Sequence, residues 1–239
     1  DDIIRFDIIK IDETGAITYE FPRNESSTDG TYVLRATQDD VTQVSLFTLD
    51  TTTYDRVVVY LEKMNFKANS KAKINILGPP LTELTLNIFD HSDNRKFTES
   101  VKTNSIGTTI FTVDLAGYSS GVYKAVVSNP TYQDTAKFSV GLSSGSGTIT
   151  FSTTQPTYSP GESILILGNT GANSTLNISL IDPNGETVNK IEIFADKEGV
   201  FTTEMLGIPS NAESGIWQIK AQSGLDHKEV EINVATNGS

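Results

Sequence analysis

Apolar and polar residues alternate along most of this chain. Leu176, Ile178 and Leu180 alternate with Asn177, Ser179 and Ile181; Val230, Ile232 and Val234 alternate with Glu229, Glu231 and Asn233. Ile164, Ile166 and Gly168 interleave with Leu165, Leu167 and Asn169 as a short buried run. A period of two places one side chain on a core and the next outside, and β-branched residues favour that geometry. Turn chemistry separates the runs: Asp182-Pro-Asn184-Gly185, Lys197-Glu-Gly199 and Asp12-Glu-Thr-Gly15. No window of a dozen residues sustains a helical period, so the pattern predicts an all-β chain.

The pattern also repeats. Leu84-Thr-Leu86-Asn-Ile88-Phe-Asp90 matches Leu176-Asn-Ile178-Ser-Leu180-Ile-Asp182 at an offset of 92. The same offset relates Phe66 to Tyr158, Val57 and Val59 to Ile149 and Phe151, Gly107 to Gly199, and Gly15 to Gly107. The stretch from Ile9 to Phe21 parallels that from Ile193 to Met205. A third signature recurs at spacings of 91 and 94: Gly30-Thr-Tyr32-Val-Leu34, Gly121-Val-Tyr123-Lys-Ala125 and Gly215-Ile-Trp217-Gln-Ile219. Glycine makes the turn, and the aromatic shares a face with the next alternate residues.

About seven short strands per repeat fit tandem immunoglobulin-like β-sandwiches. The 239 residues hold about 2.6 repeats, and the deficit lies at the front. Residues 1–50 read as the C-terminal half of a module, 51–145 as a whole one and 146–239 as another. The incomplete module calls for strands from further modules of a longer chain, or from another subunit. Tyr32, Tyr123 and Trp217 are the expected core aromatics. Gly141-Leu-Ser-Ser-Gly-Ser-Gly147 and Asp50-Thr-Thr-Thr53 read as linkers short enough that neighbours touch end to end.

Composition narrows the function classes. With no cysteine, disulfides and thiolate chemistry are excluded. A net charge of -12 argues against nucleic-acid binding and draws cations to the surface. Residues 1–50 and 146–239 each carry 11 acids and 4 bases, whereas 51–145 carry 8 acids and 10 bases. No apolar run predicts a transmembrane segment, and Asp1-Asp2 does not open a signal peptide, as in a trimmed secreted protein.

Gln155-Pro-Thr-Tyr158-Ser-Pro160-Gly161-Glu162-Ser-Ile164 resembles the opening of prokaryotic immunoglobulin-like and macroglobulin-type modules. Asp182-Pro-Asn-Gly185 with Ala195-Asp196-Lys-Glu-Gly199-Val-Phe201 resembles their middle hairpins, and Glu213 to Ala221 their ending. Such arrays are similar to surface-layer proteins of ammonia-oxidising archaea. The resemblance implies an extracellular, lattice-forming coat in which calcium sometimes bridges subunits. The second module departs from it, with Phe66-Lys-Ala-Asn-Ser-Lys at its opening, so a different turn is expected there.

Candidate chemistry is sparse. His91 and His227 lie in polar turns of different modules, and the acidic pairs Asp39-Asp40 and Asp12-Glu13 lie in no cleft-forming motif. No catalytic residues are assigned, and an enzyme is not expected. Asp90, Asp93 and Asn94 group hard oxygen donors in one turn, and Asp182, Asn184 and Glu186 in another, which makes calcium the one candidate ligand. Asn24, Asn173, Asn177 and Asn237 head N-x-S/T sequons. The expected function is that of a structural cell-surface protein that self-associates into a lattice. An adhesin or ligand-binding stalk is the alternative.

Overall fold

The structure is a computed structural model that describes residues 4–9, 11–20, 28–38, 41–145 and 147–235, with the backbone alone at Glu204 and Met205. Among the described residues every regular element is a strand. The described residues of the first 50 contribute one hairpin, β1 (Gly30–Gln38) and β2 (Val41–Leu49), paired antiparallel from Gly30↔Leu49 to Gln38↔Val41.

Residues 51–145 form a sandwich. Its first sheet is β3 (Val58–Leu61), β5 (Lys71–Leu77) and β8 (Thr108–Asp114), with β5 in the middle. Its second sheet runs β4 (Asn65–Phe66), β10 (Gln133–Val140), β9 (Gly121–Ser128), β6 (Glu83–Phe89) and β7 (Arg95–Lys102). The leading strand therefore switches sheets between Leu61 and Asn65. Alternate residues of both sheets meet inside: Ile74 and Ile76 from one, Leu86, Ile88, Tyr123 and Phe138 from the other.

The third module repeats this plan. β12 (Thr150–Thr153), β14 (Ser163–Asn169) and β17 (Val200–Gly207) make the smaller sheet, with β14 in the middle. The larger one holds β15 (Ser174–Ile181), β16 (Thr187–Phe194), β18 (Gly215–Ser223), β19 (Asp226–Val234) and the short β11 (Ser143–Ser144) and β13 (Thr157–Tyr158). Ile164, Ile166, Ile178, Leu180, Trp217 and Ile219 form its core. Tandem immunoglobulin-like sandwiches with an incomplete first module describe the chain.

The divergent opening of the second module makes the same turn as the third. Asn69 adopts φ 58° where Gly161, one repeat later, adopts φ 87°. Asparagine tolerates the left-handed region better than most residues. β4 and β13 then pair in parallel with β10 and β19 through Phe66↔Val140 and Tyr158↔Val234.

The Gly/Ser segment after Val140 is built in rather than left as a free joint. Gly141 donates to the Phe66 carbonyl at 2.8 Å. Ser143 and Ser144 pair with Ser174 and Thr175. Gly145 donates to Ser223 Oγ at 2.8 Å and Gly147 to Asp226 Oδ2 at 3.0 Å.

Candidate functional site

The features that bear on function are the aromatic corners, the turns and the places where modules meet. Each corner aromatic bonds to a carbonyl four residues back. Tyr32 Oη donates to Thr28 O at 2.6 Å, Tyr123 Oη to Ser119 O at 2.7 Å, and Trp217 Nε1 to Glu213 O at 3.0 Å. This satisfies the polar tip of a large apolar ring, as in the tyrosine corner of immunoglobulin folds. Tyr123 and Trp217 are buried, at 0% and 3% exposure. Tyr32 is only half-buried, which corrects the expectation of a core residue. Its corner bond is local and forms whatever packs on the ring.

The opposite face of the same hairpin is buried. Val33, Val44 and Leu46 pack against Val58, Tyr60 and Leu77, on the outward side of β3 and β5. Thr42 N donates to Glu62 O at 2.9 Å, Asp55 N to Thr31 Oγ1 at 3.0 Å, and Tyr60 Oη to Gln43 Oε1 at 3.4 Å. β3 is therefore buried on both sides: Val59 and Leu61 face the sandwich core, and Val58 and Tyr60 face the hairpin. Its counterpart β12 exposes Thr150 and Ser152. The first and second modules thus meet sheet face to sheet face, not end to end as the short linker suggested.

A second junction joins residues far apart in sequence. Phe6 lies on Gly207, where an added Cβ would sit 2.2 Å from its ring, and Ser210 N donates to Phe6 O at 3.2 Å. Arg5 Nε reaches Asp7 at 2.6 Å and Tyr19 Oη at 2.7 Å. Tyr19 and Ser210 both donate to the Asp7 carboxylate. Burial opposes ionisation of Asp7, but these hydroxyls and the guanidinium outweigh it and lower its pKa. The first segment of the chain is thereby tied to the third module. A shallow groove of about 490 Å³ beside it is lined by Arg5, Glu162 and serine hydroxyls.

The turns account for the predicted metal ligands. Asp90 Oδ1 accepts from the N–H groups of Ser92 (2.9 Å) and Asn94 (3.0 Å), and the Asn94 amide and Lys96 contact the same carboxylate. Burial alone would raise the Asp90 pKa; the N–H donors of Asn94 and Ser92, the Asn94 amide and Lys96 together hold it at about 2. Asp93 faces Lys124 at 2.5 Å instead of joining Asp90. Asp182 Oδ1 likewise accepts from Asn184 N at 2.9 Å and Glu186 N at 2.8 Å. The structure gathers each set in a turn, but there the aspartates hold backbone amides. Among the described residues no three His, Asp or Glu side chains gather as a metal cluster.

The remaining candidates are distributed. His91 and His227 are exposed, His91 in the β6–β7 turn and His227 on β19 itself rather than in a loop, where it pairs with Gln222. Asp12 caps its own turn through Thr14 N at 2.9 Å, and Glu13 is exposed. Asn173 is exposed in a turn at φ 52°. Asn177 lies mid-strand between Glu192 and Gln222. Asn24, Asn237, Asp39 and Asp40 lie outside the described residues. Sequence reasoning missed the Arg5–Asp7–Tyr19–Ser210 cluster, for which the sequence holds no local signal. It also missed the two-sided β3, although the unbroken apolar run Val57-Val-Val-Tyr-Leu61 carried one.

No family model matches the chain, and no curated protein matches it. Among solved structures it is similar to a tetra-tandem repeat in the extending region of a large adhesion protein: 16% identity, 89% of this chain, 58% of that one, TM-score 0.33. It is also similar to the BSP domain of a biofilm-associated protein: 16% identity, 77% of this chain, 30% of that one, TM-score 0.30. For a trypsin-activated alpha-2-macroglobulin from Escherichia coli the values are 12%, 84%, 18% and 0.36. The chain thus spans 58% or less of each of these structures, and at these TM-scores the likeness carries no functional argument.

Proposed function

We propose that this chain is a structural repeat segment of a secreted cell-surface protein, of the surface-layer type, whose modules set spacing and stiffness. The observation that carries the reading is β3, one strand whose two faces serve two modules at once. A junction built from apolar side chains and hydrogen bonds holds neighbours in one orientation, as a coat or stalk needs and a flexible tether does not provide. The acidic surface of the outer modules supports cation-assisted packing of copies, and the exposed turn residue Asn173 is the sequon best placed for a glycan.

Electron microscopy of the purified chain at millimolar calcium or magnesium tests this reading. Ordered sheets that dissolve on chelation are the expected result. Particles that stay separate in both ions, yet retain a glycan or protein ligand at stoichiometric occupancy, would replace it with the adhesin reading.

A further inference from the structure

Among the described residues, β7 and β8 are the long edge strands on one side of the second module, and β16 and β17 stand in their places in the third. Three of these edges are guarded against pairing. β7 carries Arg95, Lys96, Glu99 and Lys102, and its register skips from Phe97 to Arg95 against Ile88 and Phe89. β16 carries Lys190 and Glu192 and skips likewise, from Asn189 to Thr187 against Leu180 and Ile181. β17 has a bulge of its own, where Ile164 to Ile166 on β14 match Leu206 to Thr203. Charges and bulges keep a strand edge from taking up another chain. β8 has neither. It runs in unbroken register on β5 from Leu77↔Thr108 to Lys71↔Asp114 and is uncharged as far as Val113.

The bonding pattern shows which groups line that edge. Gly78 N donates to Gly107 O at 2.9 Å, and Leu115 N to Ser70 O at 2.9 Å. In an antiparallel ladder, residues bonded to one neighbour alternate with residues that face away from it. The odd-numbered residues of β8 therefore bond β5, and Ile110 and Thr112 turn their N–H and C=O groups to the outer edge. The side chains beside them are apolar. Ile110 is 62% exposed. Phe111 and Phe97, both half-buried, meet at 5.4 Å and 46° where β8 approaches β7. One repeat later the same three places hold Thr202, Thr203 and Asn189.

We propose that β8 is a self-association edge. It pairs antiparallel with β8 of a second copy of this chain, about a two-fold axis that sets Ile110 opposite Ile110. The occupant follows from self-complementarity. In that register Thr108 meets Thr112, no charges oppose one another between them, and the two Ile110 residues exchange both backbone bonds. The exposed isoleucines come together at the axis. The pairing also continues the β3–β5–β8 sheet, which already carries the β1–β2 junction on its outward side. It names one contact for the proposed coat but is read without divalent cations, so pairs without sheets would keep this inference and remove the coat reading, and sheets without pairs the reverse.

The absence of cysteine allows a direct test. Opposed residues of a bonded antiparallel pair lie about 5.5 Å apart at Cα, inside the roughly 4.4–6.8 Å that a disulfide spans. Under mild oxidation, Ile110→Cys is expected to cross-link into a dimer far faster than Thr202→Cys. Ile110 and Thr202 are both exposed, so neither substitution disturbs a core. By sedimentation, Ile110→Lys should raise the dimer Kd by roughly 10-fold or more, and Thr202→Lys should leave it unchanged. Amide exchange at Ile110 and Thr112 should slow on dimerisation, while that of Phe111, already bonded to β5, should not. A chain that stays monomeric up to about 1 mM overturns the proposal. So does a dimer that Ile110→Lys leaves intact, or cross-linking no greater at position 110 than at 202.

Discussion

The hairpins β1–β2 and β9–β10 have the same local architecture and different burial. Each starts at a positive-φ glycine, bonds its corner tyrosine four residues back, and stacks that tyrosine on a phenylalanine across the ladder. In β9–β10 that face is core. In β1–β2 Tyr32 is half-buried and Leu34 exposed on that face, and the reverse face packs on β3. Local structure here is encoded in the strand pair itself, while burial depends on which surface is present to cover it. Hairpins are marginal alone, and contact with β3 helps to hold β1–β2 in place.

Truncating the corner ring should separate the two hairpins most. Tyr123→Ala and Trp217→Ala remove buried rings and should each cost about 3–5 kcal/mol. Tyr32→Ala should cost about 1 kcal/mol, as usual for a half-exposed side chain. Urea unfolding followed by circular dichroism measures all three, and equal losses would mean that the Tyr32 ring contributes as much as the two buried rings.

The turn glycines give the next contrast. Gly107→Ala and Gly199→Ala combine a left-handed backbone with a carbonyl oxygen 2.2 Å away and should each cost roughly 3 kcal/mol. Gly15→Ala meets only the backbone cost, about 1 kcal/mol. Thermal unfolding of the three variants ranks them.

At the junction, Val58→Ala removes two carbon groups from the face under β1–β2 and should cost about 1.6 kcal/mol at ~0.8 kcal/mol per group. Thr150→Ala, on the exposed face of β12, should stay within about 0.5 kcal/mol. Hydrogen exchange in β1 should quicken in the first variant and not in the second.

The smallest effect separates turn closure from packing. Because the folded Asp90 carboxyl sits at about 2, below the ordinary 3.8, its stabilisation is present above pH 4 and is lost as pH falls through 2. A carbon NMR titration of Asp90 should find that midpoint. Asp90→Asn should flatten the fall in stability between pH 4 and 2.

Several features were legible in the sequence for physical reasons. The alternation of Leu176, Ile178 and Leu180 marks a strand face because successive side chains oppose one another. The turns at Asp12, Asn104 and Asp196 follow from side-chain oxygens that cap nearby amides within four residues. The calcium candidates drew on the same oxygens: Asp90 and Asp182 stood out as clustered donors, but their hydrogen bonds go to their own turns. The Asp7–Ser210 contact spans 203 residues and leaves no trace in any window of the chain.

For this protein, sequence alone determined the strands, the turns and the 92-residue period, down to the turn that Gly15 closes on Asp12. Only the tertiary structure decided which face of β1–β2 is inside. Alternation defines two faces but cannot rank them when both carry apolar residues, as Tyr32 and Leu34 on one and Val33 and Val44 on the other do. The choice falls to whichever neighbouring surface removes more apolar area from water, and here that surface is the outward side of β3.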